Sequence, residues 1–235
     1  MPIINYYPSA NFNERIAEGT GPVKIDILVI HYTGMLPENS ALDWLCNPES
    51  KVSAHYLIDE KGSIFNLVPV LMRAWHAGKS YWRGATDINS RSIGIELVNP
   101  GHDFGYRDFS LNQVNSLIYL ANKLLLQYTI PPRNVLGHSD ISPSRKIDPG
   151  ERFPWKKLAE QGIGLWPNQK KSNNTEMSNK NFIKILNSYG YDTDNNSLSD
   201  LVTAFQRHFR PELCDGIVDK ETQVQLENLM FSIAE

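Results

Sequence analysis

The chain has 235 residues, 41% of them hydrophobic and 21% charged, with a formal net charge of −3. That is enough chain for a real core, in one large domain or one domain plus a small one. The slightly acidic balance gives no hint of nucleic-acid binding, which usually shows a basic patch, and no stretch approaches the roughly 18 apolar residues of a membrane-crossing helix.

The first 22 residues, rich in Pro, Asn and Gly, read as irregular. Met1 to Tyr7 carries no charged segment followed by an apolar run, so no export signal is read there. Ile25 to Ile30 is β-branched and nearly all apolar, the pattern of a strand buried on both faces, and His31 falls at its end. Ser40 to Cys46 predicts a short helix stopped by Pro48. Ser53–Ile58 and Ser63–Val68 predict two strands joined by the turn Asp59-Glu60-Lys61-Gly62. Residues 72–92 have no period and hold Trp75, His76 and Trp82, which predicts a long loop lining a groove. Ser92 to Val98 predicts a strand with Ile93, Ile95 and Leu97 on one face and Gly94, Glu96 and Val98 on the other.

Ser110 to Tyr128 is the clearest helix: apolar residues recur at three and four, Ser110 offers a cap, and Gln113 can complete a capping box. Asn134 to Gly137 predicts a short strand that leads into the loop Gly137–Gly150, where prolines forbid a long helix or a central strand. Helix resumes near Trp155, and residues up to 167 close this unit. Residues 168–176 are polar and non-periodic, a linker. Three short amphipathic helices follow over 177–235, ended or capped by Gly190, Pro211 and Asp219, with a small core of their own that is marginal at this length. Cys46 and Cys214 lie far apart and read as buried or free thiols, with neither a disulfide framework nor zinc spacing.

Charged and polar groups concentrate at a few points. His31 ends a buried strand, while His138 and Asp148 share the Pro/Ser/Gly-rich loop. Two imidazoles and a carboxylate are a donor set for catalytic zinc, which takes three protein ligands and leaves one position open. Singly, each is an ordinary loop residue; the signal lies in the set. Glu96 is a carboxylate in an apolar strand, costly unless paired or functional, and suits a general base. Lys146, two residues from Asp148, suits an oxyanion partner. Trp75 and Trp82 suit either stacking on a substrate or core packing; His55 and His76 read as packing or groove residues rather than ligands.

Taken jointly, Val29-Ile30-His31-Tyr32-Thr33, Ser53-Ala54-His55-Tyr56, Ala74-Trp75-His76-Ala77-Gly78, Ser92-Ile93-Gly94-Ile95-Glu96 and Gly137-His138 through Pro149-Gly150 resemble the zinc-dependent N-acetylmuramoyl-L-alanine amidases, relatives of a phage lysozyme and of the peptidoglycan recognition proteins. The resemblance implies an α/β fold with a mixed β-sheet flanked by helices over residues 1–167. It implies one Zn2+ on His31, His138 and Asp148, catalysis by Glu96 and Lys146, and Arg145 meeting substrate carboxylates; Trp75, His76 and Trp82 are expected as further substrate contacts from their place in the groove loop. Residues 177–235 resemble the three-helix peptidoglycan-binding domain through Leu201–Gln206 and Asp215-Gly216-Ile217-Val218-Asp219, with Asp219-Lys220 where that domain commonly has Gly-Pro.

The implied reaction is hydrolysis of the amide between N-acetylmuramic acid, or its anhydro form, and L-alanine of the stem peptide. The implied partner is peptidoglycan or a muropeptide, and the implied place is the bacterial envelope or periplasm, with the cytoplasm as the alternative. Two other readings are a peptidoglycan receptor without catalysis and a metallopeptidase cutting within the stem peptide.

Overall fold

A computed structural model of the protein describes residues 4–17, 20–37, 40–167 and 177–234; the expected linker, 168–176, lies outside the described residues. Its strands are β1 (Ile4–Tyr6), β2 (Phe12–Glu14), β3 (Ile27–Tyr32), β4 (Tyr56–Ile58), β5 (Ile64–Asn66), β6 (Met72–Ala74), β7 (Ser92–Leu97) and β8 (Val135–Gly137). Its α-helices are α1 (Ser40–Cys46), α2 (Ile88–Arg91), α3 (Leu111–Tyr128), α4 (His138–Ile141), α5 (Trp155–Ala159), α6 (Asn179–Tyr189), α7 (Leu198–Phe209) and α8 (Lys220–Ala234).

Six strands form a mixed sheet in the order β1-β5-β4-β7-β3-β8. The central strands β4, β7, β3 and β8 run parallel, and β5 returns antiparallel to β4, so the expected hairpin is present. Strands β1 and β2 depart from the irregular reading of residues 1–22. β1 adds to β5 at the sheet edge, and β2 pairs with β6 inside the stretch expected as a loop. Both are mostly exposed and only three residues long. Their backbone bonds, rather than an apolar period, make them strands, so no pattern announces them.

The two faces of β7 do different work. Ile93, Ile95 and Leu97 face α3, where Val114, Leu117 and Leu124 complete one core. Helix α3 begins as expected, with the Ser110 hydroxyl accepting from the Gln113 N–H at 3.1 Å. The reciprocal half of the capping box does not form. The Gln113 side chain turns inward and donates to the carbonyls of Ile58 and Val98, both at 3.0 Å, which ties α3 to the ends of β4 and β7.

The opposite face of the sheet carries Ile27, Val29 and Leu136, and it merges with Phe182, Phe205 and Leu229 of the C-terminal helices into one apolar cluster. The caps of that helical unit are as read: Gly190 ends α6, and the Asp219 carboxylate accepts from the Thr222 N–H at 2.9 Å at the start of α8. Its core, however, is continuous with the sheet's. Three short helices bury too little surface alone, and the sheet face supplies the rest. Cys46 and Cys214 are free and half-buried.

Trp82 is the hinge pin of this joint, which corrects its placement among candidate substrate contacts. It is 1% exposed. Its ring meets Tyr189 and Tyr191 edge-on, with centroids 5.4 Å away in each case, and its Nε1 donates to Asn134 Oδ1 at 3.2 Å. A β-carbon at Gly190 would come within 2.9 Å of the indole, so the turn after α6 closes directly over it. Trp82→Ala should destabilise the protein by about 3–5 kcal/mol in urea denaturation; a loss under about 1 kcal/mol would contradict this placement.

Candidate functional site

Parallel β3, β7 and β8 end at the same edge of the sheet, where open α/β sheets commonly hold their ligands. His31 pairs in register with Glu96, so the two side chains leave the sheet on the same face from neighbouring strands. Ile30 pairs with Gly137, the last residue of β8, which delivers His138 one position further on. The Ser139 N–H donates to the Asp148 carbonyl at 2.9 Å and folds the loop back, so that Asp148 rejoins His138.

The result is a small triangle. His31 Nδ1 lies 3.0 Å from His138 Nδ1 and 3.0 Å from Asp148 Oδ2, and His138 Nδ1 lies 3.1 Å from the same oxygen. All three residues are buried, and they are the His/Cys/Asp/Glu group that can hold a metal ion among the described residues. Ligand atoms on tetrahedral zinc, with bonds of about 2.0–2.1 Å, stand roughly 3.3 Å apart, so the triangle fits such an ion closely.

The surrounding hydrogen bonds fit a metal as well. The Ser92 hydroxyl donates to the Ile88 carbonyl at 2.6 Å, so toward His76 Nε2, at 3.0 Å, it can only accept. The proton of His76 therefore sits on Nε2, and its bare Nδ1 accepts from His31 Nε2 at 3.0 Å. That leaves the lone pair of His31 Nδ1 facing His138 and Asp148. His138 Nε2 lies 3.1 Å from the Ala77 carbonyl and can donate to it, which leaves its Nδ1 free in that tautomer. A ligating imidazole that donates its other N–H to a fixed acceptor is the usual arrangement around metals.

Electrostatics agree. Burial, with the neighbouring His138 adding to it, lowers His31 to about 4, so the imidazole is neutral and available at neutral pH. Burial and the neighbouring histidines push His76 well below its usual range. Burial alone would raise the Asp148 carboxyl; the His138 and His31 imidazoles beside it outweigh burial and hold its pKa below the usual carboxylate range.

One cleft of about 610 Å³ takes in His31, His138, Asp148, Glu96, Lys146, Arg145, Trp75 and His76. Of the residues given metal, catalytic or substrate roles from sequence, Trp82 alone does not line it. Glu96 is half-buried, and its Oε2 is shut from solvent with no partner among the described residues. Burial first, then the Asp148 charge, raises its pKa well above the carboxylate range, while Lys146 opposes the shift. A carboxyl with a free oxygen and a raised pKa beside a metal-type triangle can accept and return a proton.

His76 lines the cleft but spends both ring nitrogens on His31 and Ser92, so it orients the His31 ring. Arg145 gives Nη2 to the carbonyls of Ala77 and Lys79, at 2.8 and 2.9 Å, and its other nitrogens have no partner among the described residues. Trp75 anchors its Nε1 on Asn13 Oδ1 at 2.8 Å and lines the cleft. Sequence reasoning missed Trp44, which lines the cleft from α1. Its signal was present: Ala41 and Leu45 face the core, leaving an exposed tryptophan on a short helix. His55, read as a packing residue, is one: its Nδ1 accepts from the Gly94 N–H at 3.0 Å, and its Nε2 donates to the Met72 carbonyl at 3.1 Å.

Gly94 explains why the His76 side chain fits. A β-carbon there would sit 2.5–2.7 Å from three atoms of the His76 ring. Gly94→Ala should therefore displace His76 and weaken metal binding by about 10- to 100-fold. Competition with a chromogenic chelator measures this, and an unchanged affinity would refute the role given to His76.

The comparisons with known proteins agree with this geometry. Residues 21–151 match the family model for N-acetylmuramoyl-L-alanine amidase. The N-acetylmuramoyl-L-alanine amidase AmiD of Escherichia coli (strain K12) is 40% identical over 240 residues, covering 92% of this chain and 86% of that protein. The structure of E. coli AmiD with the substrate anhydro-N-acetylmuramic acid-L-Ala-D-gamma-Glu-L-Lys matches with a TM-score of 0.80 at 38% identity, covering 94% of this chain and 98% of that one. AmpDh3 from Pseudomonas aeruginosa, in complex with anhydromuramic pentapeptide, matches with a TM-score of 0.82 at 35% identity over 93% of this chain and 96% of that one. A family model spanning over half of the sequence and a likeness running through nearly all of it give one answer: the chain belongs to the N-acetylmuramoyl-L-alanine amidase family.

Proposed function

We propose that this protein is a zinc-dependent hydrolase of the amide joining N-acetylmuramic acid, or its anhydro form, to the L-alanine of a peptidoglycan stem peptide. The observation that carries the proposal is the triangle of His31, His138 and Asp148 in the cleft that also holds Glu96 and Lys146. The substrate class rests on the family and on the anhydromuramyl peptides bound to the two similar structures. A receptor without catalysis has no use for a complete ligand set beside an unpartnered carboxyl.

His31, His138 and Asp148 would hold the ion. Two nitrogens and one carboxylate oxygen, with no sulfur, suit zinc and leave a fourth position open. When bound, zinc supplies Lewis acidity, acidifying water and polarising a carbonyl. Glu96 takes the proton of the attacking water and delivers it to the nitrogen of the leaving L-alanine. The Lys146 ammonium pairs with the negative charge that develops on the carbonyl oxygen. Arg145, with guanidinium nitrogens to spare, is placed to meet a stem-peptide carboxylate, and Trp44 and Trp75 to cover the sugar or peptide.

The helical unit 177–235 serves as a peptidoglycan-binding domain in this reading, supported by its resemblance to that domain and by three amphipathic helices in the expected places. A wall-directed substrate and a wall-binding unit favour the cell envelope as its place of action. No helix among the described residues is long and apolar enough to cross a membrane.

Two experiments test the reading. Mass spectrometry of muropeptides digested with the protein should show stem peptides with a new N-terminal L-alanine, and none after chelation. Cleavage between stem-peptide residues instead would make it a peptidase. Lys146→Ala should keep its metal and lose about 100- to 1000-fold in turnover. Because Lys146 holds the Glu96 pKa down, and Glu96 must be ionised to act as a base, the acidic limb of kcat/KM should move to higher pH in that variant. Full activity, or a limb moved to lower pH, would refute the role of Lys146.

A further inference from the structure

The C-terminal unit reaches the metal loop through one buried carboxylate. Asp140, two residues beyond His138 on α4, is 1% exposed. Its Oδ2 accepts from the Gly137 backbone N–H at 2.7 Å, on the residue just before His138. The same oxygen accepts from His208 Nδ1 at 2.7 Å, and Oδ1 accepts from the Tyr191 hydroxyl at 2.6 Å. His208 lies in the last turn of α7 and Tyr191 just after α6, so both side-chain donors come from the helical unit.

Neither donor is free to swing. The His208 ring is stacked between Trp155, at a centroid distance of 3.8 Å, and Phe209, at 3.9 Å. Its Nε2 is buried without a partner among the described residues, which puts its proton on Nδ1, toward Asp140. Tyr191 is fully buried against Trp82. The loop they grip is equally tight: a β-carbon at Gly137 would come within 2.7 Å of Pro149, and the Ser139 N–H holds the Asp148 carbonyl at 2.9 Å. One rigid turn therefore carries both His138 and Asp148, and Asp140 is its anchor.

We infer that Tyr191 and His208 are positioning residues for the metal centre, so that the helical unit braces two of the three ligands in addition to any contact it makes with the wall. The inference rests on the metal-ligand reading of His31, His138 and Asp148. The physical reason is that a buried carboxylate must keep its hydrogen bonds. Without the two side-chain donors, Asp140 keeps only the Gly137 N–H. It must then turn or draw in water, and the turn carrying His138 and Asp148 moves with it. Groups hydrogen-bonded directly to a metal ligand change its affinity by about 10- to 100-fold; Tyr191 and His208 act one contact further out, through Asp140 and the Gly137 backbone, so a smaller effect is expected.

The test uses the full chain. Tyr191→Phe removes one hydroxyl and keeps the ring. His208→Phe keeps a stacking ring and removes the donor. His208→Asn offers an amide donor near the position of Nδ1. Zinc affinity by chelator competition and the visible spectrum of the cobalt-substituted protein are read alongside the thermal melt of the metal-free protein. Tyr191→Phe and His208→Phe should each weaken zinc binding by up to about 10-fold, the low end for direct partners of a ligand, and alter the cobalt spectrum. His208→Asn should restore a large part of both.

Wild-type affinity and spectrum in both phenylalanine variants would overturn the inference, even with a lowered melt, because the contacts would then serve folding alone. Should His208→Phe fail to fold, the single hydroxyl removed in Tyr191→Phe decides by the same two readouts. A wild-type protein that binds no zinc would instead remove the metal-ligand reading, and this inference with it.

Discussion

The structure depends on the direction of one hydrogen-bond chain. It starts at the Ile88 carbonyl, which can only accept, and passes through the Ser92 hydroxyl and both nitrogens of His76 to His31 Nε2. Each step is forced by the one before it, so the lone pair of His31 Nδ1 is committed to the point where His138 and Asp148 converge. β7 provides the room. On the face toward His76 it carries Ser92, a donor-acceptor, then Gly94, which has no side chain, then Glu96. On the other face it carries Ile93, Ile95 and Leu97, which anchor the strand in the core. One six-residue strand is thus half structural and half chemical.

That division shows how much was legible in the sequence. The apolar face of β7, the buried run leading to His31 and the periodic α3 follow from pattern, because burial imposes a period on residues close in sequence. The triangle could be read only as a set, because two imidazoles and a carboxylate together make a zinc donor set although each alone is an ordinary loop residue. The joint role of Ser92, Gly94 and His76 was not legible. The contact of His76 with Gly94 crosses from a loop to a strand, and no local rule predicts it. β1 and β2 escaped because exposed three-residue strands leave no apolar trace. Gln113 looked like half of a capping box, yet two carbonyls at the ends of β4 and β7 took its amide instead.

The joint between the two units was the least legible feature. Trp82 reads equally well as a stacking surface or a core residue, and only the positions of Tyr189 and Tyr191 decide for the core. Asp140 lies 51 residues from Tyr191 and 68 from His208, so nothing local connects them. The sequence reads as a catalytic unit joined by a tether to a binding unit. The structure has one apolar cluster running from the sheet into the helices, with a polar clamp at its edge beside the metal loop. Packing of this kind restricts how far the helical unit can move without disturbing His138.

The chemistry requires two imidazoles and one carboxylate to share an ion. X-ray absorption spectroscopy of the zinc-loaded protein tests it most directly. It should show two imidazole nitrogens and light oxygen ligands at about 2.0–2.1 Å, four-coordinate overall and without sulfur. A shell with sulfur, with a third imidazole, or with six oxygens and no imidazole would contradict it.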